Sequence, residues 1–299
     1  MIKIDKNQEL SGITTAVTIG KFDGLHKGHF KIINELKKAS AGNKCLLVSF
    51  TNHPGKLLDA GFSGVLIGEE EKTRILEDAG LDLYCEMEFN EALRDTTAED
   101  FFNEYILGKW HARLLVVGDD FHFGRGRLGD TAFLEKKCGE AGISLIVVPR
   151  MTYKDDAISS SRIKNALKNG EMEDVSFMLG RDYTFSGTVC EGNKLGRSLG
   201  FPTANIYPDA EKALPRFGVY LSETVYEGRV YRSISNIGVK PTVDSDGRVI
   251  TETFLFDFDG DLYGKELSVS FKKFVRDEKK FKDVSELKAQ IESDKNTKM

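Results

Sequence analysis

The sequence predicts an α/β layer followed by a mainly β module: an N-terminal parallel sheet, then a C-terminal antiparallel β-barrel with a terminal helix. Three observations carry that expectation. The first half alternates short apolar runs with stretches of helical apolar spacing. Beyond residue 180 the texture changes to short β-rich runs separated by Gly, Pro and Asp turns. At 299 residues and 40% hydrophobic content, the chain can fill two cores of ordinary domain size.

The elements follow in order. TTAVTIG (14–20) is β-branched and ends in Gly, and HFKIINELKKAS (29–40) spaces Phe30, Ile33 and Leu36 on one helical face. KCLLVSF (44–50) reads as a strand, EEKTRILEDAG (70–80) as a helix, and ARLLVVG (112–118) and ISLIVVP (143–149) as strands. This alternation predicts a doubly wound parallel sheet. The helical stretch 160–180 precedes the change of texture, which places a domain boundary near 183. Runs such as YTFSGTV, GVYLSETV, RVYRSISNIG, ITETFLFDF and LSVSFKKFV follow, and a last helix (284–294) sets Val284, Leu287 and Ile291 on one face.

Lys plus Arg total 42 against Asp plus Glu 47, and the net charge of -5 supplies no electrostatic reason for a nucleic-acid partner. Cys45, Cys85, Cys138 and Cys190 lie far apart without CxxC spacing, which fits buried, reduced thiols better than a disulfide framework or zinc knuckle. The N-terminus has no apolar h-region and no uncharged run approaches membrane-span length, so a cytoplasmic protein without membrane partners is expected.

Two constellations carry chemistry. In GKFDGLHKGHF (20–30), two histidines straddle a Gly at a helix mouth. Unpaired N–H groups and the dipole at a helix start attract phosphate, and Gly24 and Gly28 allow close backbone approach. His26 and His29 could donate to triphosphate oxygens as charge develops on an attacked α-phosphate. A Gly-rich turn with two surface histidines is the plainer alternative. A zinc site recruiting His53 and His122 lacks a Cys or a third close ligand. The P-loop and G-x-G-x-x-G patterns are absent, which favours an H-x-G-H nucleotidyltransferase over the usual NTPase and dinucleotide folds.

All five histidines fall by residue 122, so chemistry in the second half must use carboxylates, hydroxyls or metal. EGNKLGRSLGFPTANI (191–206) joins a Gly-spaced loop, with Gly196 and Gly200, to the oxygens of Thr203 and Asn205, a donor set suited to Mg²⁺ shared with nucleotide phosphates. SNIGVKPTV (235–243) adds a rigid turn, and ITETFLFDFDGDLYG (250–264) places Glu252 on a strand.

Taken with FTNHP (50–54), VVGDDFHFGRGRLGD (116–130) and ISSSRIK (158–164), the first constellation resembles the adenylyltransferase module of bacterial bifunctional riboflavin kinase/FAD synthetases. The second half, through PTAN, GVY, NIGxxPT, the strand Glu, LYG and R-x-E-x-x-F, resembles riboflavin kinases. The resemblance spans residues from about 13 to 294. It implies a Rossmann-like nucleotidyltransferase domain over 1–183 and a riboflavin kinase barrel over 184–299, with ATP, riboflavin and FMN as substrates, FAD as product and Mg²⁺ accompanying ATP.

By the same resemblance, Gly20, Phe22, Asp23, Gly24, His26, His29, Asp120, Ser159, Ser160 and Lys164 serve the adenylyl site, with Phe123 shaping the nucleotide and flavin pocket. Gly196, Gly200, Thr203 and Asn205 serve the kinase nucleotide, Glu252 activates the ribityl hydroxyl, and Arg276 and Phe281 close near the flavin. Lys21, Asn52 and Lys164 depart from the Asn, Pro and Arg usual in the family. Lys at 164 replaces a two-pronged phosphate grip with a point charge, so the adenylyl step should slow. A kinase with a decayed N-terminal module and a flavin-binding sensor are the rival readings.

Overall fold

The computed structural model describes residues 1–51, 63–190, 202–239, 248–279, 281–282 and 284–297. Two compact units divide between Ser160 and Ser161.

In the first unit six parallel strands lie in the order β1-β4-β3-β2-β5-β6: β1 (Ile2–Asp5), β2 (Thr15–Ile19), β3 (Lys44–Phe50), β4 (Leu83–Met87), β5 (Ala112–Gly118) and β6 (Ser144–Val148). Alternation along the strands splits their side chains between two cores. Val17, Leu46, Leu83 and Leu115 pack on one face with Phe101, Phe102 and Trp110. Ala16, Leu47, Tyr84 and Val116 pack on the other with Ile33 and Leu36 of α1 (Lys27–Ala39) and Leu76 of α2 (Glu69–Asp78). Both faces are therefore covered, as expected for the parallel sheet.

Sequence periodicity missed β1 and β4, and also α3 (Glu91–Asp95), α4 (Ala98–Phe101) and the π-helix Phe102–Lys109 that continues it. β1 exposes three of its four residues at the sheet edge, so it carries little apolar signal. The last helix of the layer is α5 (Thr131–Ala141), and the short strands β7 (Thr152–Tyr153) and β8 (Asp156–Ala157) form a hairpin beyond β6.

The expected helix over 160–180 is two helices, α6 (Ser160–Asn169) and α7 (Met172–Leu179). Gly170, at φ 79°, ends the first, and a Cβ there would lie 3.0 Å from the ring of Phe274.

The second unit is an antiparallel sheet in the order β10-β13-β12-β11-β14-β9: β9 (Tyr183–Thr188), β10 (Ala204–Ile206), β11 (Gly218–Tyr226), β12 (Arg229–Val239), β13 (Val249–Leu255) and β14 (Glu266–Arg276). Its edges meet where Cys190, just past β9, bridges Asn205 of β10, which draws the curled sheet shut. Aromatic rings of Tyr183, Phe185, Tyr220 and Phe271 fill part of the interior. The rest is polar: Thr224, Ser233, Ser222, Ser235 and Thr253 join in that order through four hydroxyl contacts of 2.8 Å, all buried. The terminal helix is α8 (Val284–Lys295), and the side chains of Val284 and Leu287 lie outside the described residues.

Cys45, Cys85 and Cys138 are buried and free, as expected, whereas Cys190 is only half-buried. Burial pushes the Cys138 thiol up to about 11 and the Cys85 thiol to about 12, so both stay protonated.

Candidate functional sites

β2 sits between β3 and β5, where strand order reverses, and ligands of open parallel sheets bind at such a point beyond the strand carboxyl ends. All five residues of β2 are buried, and they deliver the chain into the loop 20–26. In that loop Phe22 (φ 47°), Gly24 (φ 88°) and Leu25 (φ 40°) are left-handed. Two of the three are not glycine, and their side chains are buried, so the core holds a strained backbone in place. Gly20 lies under the Phe22 ring, 3.2 Å from where its Cβ would be.

His26 is the N-cap of α1, and its Nδ1 accepts the N–H of His29 at 3.3 Å. That contact assigns the ring proton of neutral His26 to Nε2. Gly28 leaves little room for a side chain, because a Cβ would lie 3.1 Å from the His26 ring. The two imidazoles stack with centroids 3.6 Å apart and planes at 15°, and Phe22 meets His29 edge-on at 5.1 Å. Burial above all, then the charges of His26 and Lys72, holds His29 well below the usual imidazole range. Its Nδ1 is buried with no hydrogen-bond partner among the described residues. His29 is therefore a neutral imidazole with an unsatisfied ring nitrogen, the kind of group that can face a phosphate.

Asp23 is buried and acts as a tie: its Oδ1 accepts the N–H of Leu66 at 2.7 Å, and its carbonyl accepts the hydroxyl of Ser160 at 2.8 Å. The start of α6, with half-buried Ser159 and Ser160, is thereby brought to the histidine loop. The motif strings did not point to Lys72, a buried ammonium 3.4 Å from Glu69. Glu69 belongs to a polar cluster with Tyr84, Glu86 and Lys3, in which the Tyr84 hydroxyl lies 3.2 Å from Glu69 and 3.1 Å from Glu86. Burial and the neighbouring Glu69 raise Glu86. Burial also pushes Glu69 upward, but the hydrogen bond from Glu86 and the charges of Lys72 and Lys3 outweigh it and hold Glu69 below the ordinary range. The cluster thus drives the two carboxylates apart, Glu86 upward and Glu69 downward. Only the fold brings these residues together.

Past β5, Asp119 is engaged by Arg150 at 2.9 Å, while Asp120 is exposed. Phe123 exchanges backbone hydrogen bonds of 2.9 and 3.0 Å with Gly129. Its half-buried ring stacks on Phe121 at 5.5 Å and meets Phe101 and Phe133 edge-on at 5.6 and 5.8 Å. Lys164 is buried on α6, in the second unit. Asn52, His53, Gly196, Gly200 and the Pro241–Thr242 turn lie outside the described residues. Among the described residues, no three His, Cys, Asp or Glu side chains are grouped to hold a metal ion.

The second site is a row across strands. Asn205 on β10 is the register partner of Glu252 on β13, and Glu252 is the partner of Asn236 on β12. The row continues through Val219 on β11 to Arg276 on β14. Directly opposed residues share a face, so Asn205, Glu252, Asn236 and Arg276 point to one side of the sheet. Glu252 is exposed, whereas Asn205 is 5% exposed and its Oδ1 has no hydrogen-bond partner among the described residues. Thr203, half-buried, lies two residues before it. Arg276 grips buried Asp294 of α8 through Nε at 3.0 Å and Nη2 at 2.8 Å, and its guanidinium lies 5.6 Å from the Phe281 ring.

Two family models match the chain, FAD synthetase over residues 9–162 and riboflavin kinase over residues 179–299. A bifunctional riboflavin kinase/FMN adenylyltransferase from Pseudomonas fluorescens is 33% identical, with 93% of this chain and 89% of that one covered. One from Bacillus subtilis is also 33% identical, at 94% and 90%. A crystal structure described as a macrolide-efflux protein from Streptococcus pneumoniae superposes with a TM-score of 0.89 at 29% identity, covering 99% of this chain and 98% of that one. Among the described residues of this chain, no helix is long and apolar enough to cross a membrane. On the family models and full-length relatives, this chain belongs to the bifunctional riboflavin kinase/FMN adenylyltransferase family.

Proposed function

We propose that this chain makes FMN from riboflavin and ATP in its C-terminal module, and FAD from FMN and ATP in its N-terminal module. The observation that carries the reading is the segregation of two phosphate-chemistry sites: His26 and His29 lie in the unit Met1–Ser160, and Asn205 and Glu252 in the unit Ser161–Met299. The functional modules run over 1–183 and 184–299, with α6 and α7 leading from one to the other. Widely spaced, unpaired cysteines suit a cytoplasmic enzyme.

In the kinase step the ribityl hydroxyl attacks the γ-phosphorus of ATP, Glu252 takes the hydroxyl proton, and ADP leaves. A positioned base of this kind is worth roughly 10²–10⁴-fold. The orphaned Oδ1 of Asn205 fits a hard cation, so Thr203 and Asn205 would hold Mg²⁺, which neutralises phosphate charge when bound with ATP. Arg276, fastened to Asp294, sets the end of β14 from which Phe281 approaches the flavin.

In the adenylyl step an FMN phosphate oxygen attacks the α-phosphorus of ATP and pyrophosphate departs. Gly20, Phe22, Asp23 and Gly24 shape the loop, and His26 and His29 donate to the phosphates. Ser159 and Ser160 meet the triphosphate, and Asp120 and Phe123 border the nucleotide and flavin.

Incubation with riboflavin and Mg-ATP, followed by chromatographic separation of flavins, tests the reading. Both FMN and FAD should accumulate. FMN alone would mean a decayed adenylyl module, and neither product would mean a flavin sensor.

A further inference from the structure

The row on β10, β13 and β12 holds one acceptor more than the proposed chemistry uses. Asn236 stands opposite Glu252 on the side away from Asn205. Its Nδ2 donates to Glu278 Oε1 at 3.0 Å. A carboxylate only accepts, so that contact settles the orientation of the carboxamide and leaves Oδ1 as the free end. That oxygen is buried and has no partner among the described residues. Glu278 is seated close over β12, since a Cβ on Gly238 would collide with its carboxylate. The carboxamide is thus clamped on one side and unsatisfied on the other, beside the residue assigned as base. A buried carbonyl oxygen without a donor destabilises the free site, and a polyol brings donors.

We propose that Asn236 binds the ribityl chain of riboflavin by accepting a hydrogen bond from one of its hydroxyls, and that Glu278 acts as the positioning residue that holds Asn236 in register. The inference rests on the kinase reading of Glu252. It adds a ligand contact on the side of Glu252 opposite Asn205.

The test measures flavin binding by fluorescence quenching, and kinase kinetics, for Asn236→Ala, Glu278→Ala and the double variant. Lumiflavin, which has the ring system but no ribityl chain, serves as the control ligand. Asn236→Ala should weaken riboflavin binding about 3- to 10-fold, the worth of one neutral hydrogen bond, and leave lumiflavin binding and the KM for ATP unchanged. Glu278→Ala should give part of that loss, Glu278→Gln should restore it, and the double variant should be no worse than Asn236→Ala alone.

Equal weakening of riboflavin and lumiflavin, or unchanged binding of both, overturns the assignment. So does strict additivity of the two substitutions. Glu252→Gln separates the layers: if it abolishes turnover while Asn236→Ala is silent, only the Asn236 contact is wrong. If Glu252→Gln is itself silent, the kinase reading fails first. Unchanged thermal melting of the Asn236→Ala variant keeps a folding defect from posing as a binding defect.

Discussion

The two sites are built in opposite ways. The histidine site is continuous in sequence: a strand, a strained loop and a helix start deliver Gly20 to His29 within one turn of chain. The kinase row is discontinuous, with Asn205, Asn236, Glu252 and Arg276 meeting only through strand register. A continuous site depends on local conformation, so it is vulnerable to single changes at its turn. A discontinuous one depends on register, and a one-residue slip would send its members to the other face.

The largest effect should come from breaking the continuous site outright. His26→Ala with His29→Ala should lower FMN-to-FAD conversion by about 10⁴-fold or more, since one lost donor at such a site typically costs about 10²–10³-fold. FMN formation by the same variant should persist. Equal loss of both activities in a folded protein would contradict the two-module assignment.

Next in size is Glu252→Gln, which keeps volume and removes the basic carboxylate. Riboflavin phosphorylation should fall roughly 10²–10⁴-fold in kcat with KM little changed, while FAD formation from supplied FMN continues. Turnover within a few-fold of the parent protein would remove Glu252 as the base.

A smaller effect distinguishes the sites by pH. The folded protein holds His29 well below the ordinary imidazole value of about 6.5, whereas the unfolded chain takes up that proton near that value. The unfolded state thus binds more protons, and stability should fall as pH drops below about 6.5. Thermal melts between about pH 7.5 and pH 5.5 should show this slope, and His29→Gln should flatten it. The Glu252→Gln variant should keep the full slope.

The smallest expected change is at Lys164, a buried lysine at which the motif resemblance leads one to expect an arginine. Lys164→Arg should raise FAD synthesis by at most a few-fold, read in the same flavin separation. A fall would show that the pocket is shaped around the lysine.

Legibility follows the same division. β2, α1, β3 and β5 announce themselves because apolar period and element agree, and the helix start at His26 follows from Gly24, Gly28 and the histidine spacing. The break at Gly170 was hidden, since a glycine within helical spacing signals its left-handed turn only once Phe274 is known to press on it. Lys72 was invisible for another reason: α2 reads as an ordinary charged helix, and only packing shows that this ammonium is buried while Glu70 is exposed. Asp23 was legible as part of a motif, but its bond to Leu66 depends on a distant backbone N–H. Asn236 stood inside NIGxxPT without a role until its register placed it against Glu252.

The buried hydroxyl column inside the second unit has its own consequence. Five hydroxyls from Thr224 to Thr253 are joined by four contacts of 2.8 Å, and in each contact either oxygen can be the donor. The column therefore has two senses. Passing from one aligned sense to the other turns each linking proton and inverts the column's dipole without moving a heavy atom. Thr253 is the immediate chain neighbour of Glu252, so the medium under that strand can answer a change of charge by spinning protons rather than shifting side chains. An interior of the same shape made of valine and alanine would keep the volume and lose that electrical compliance.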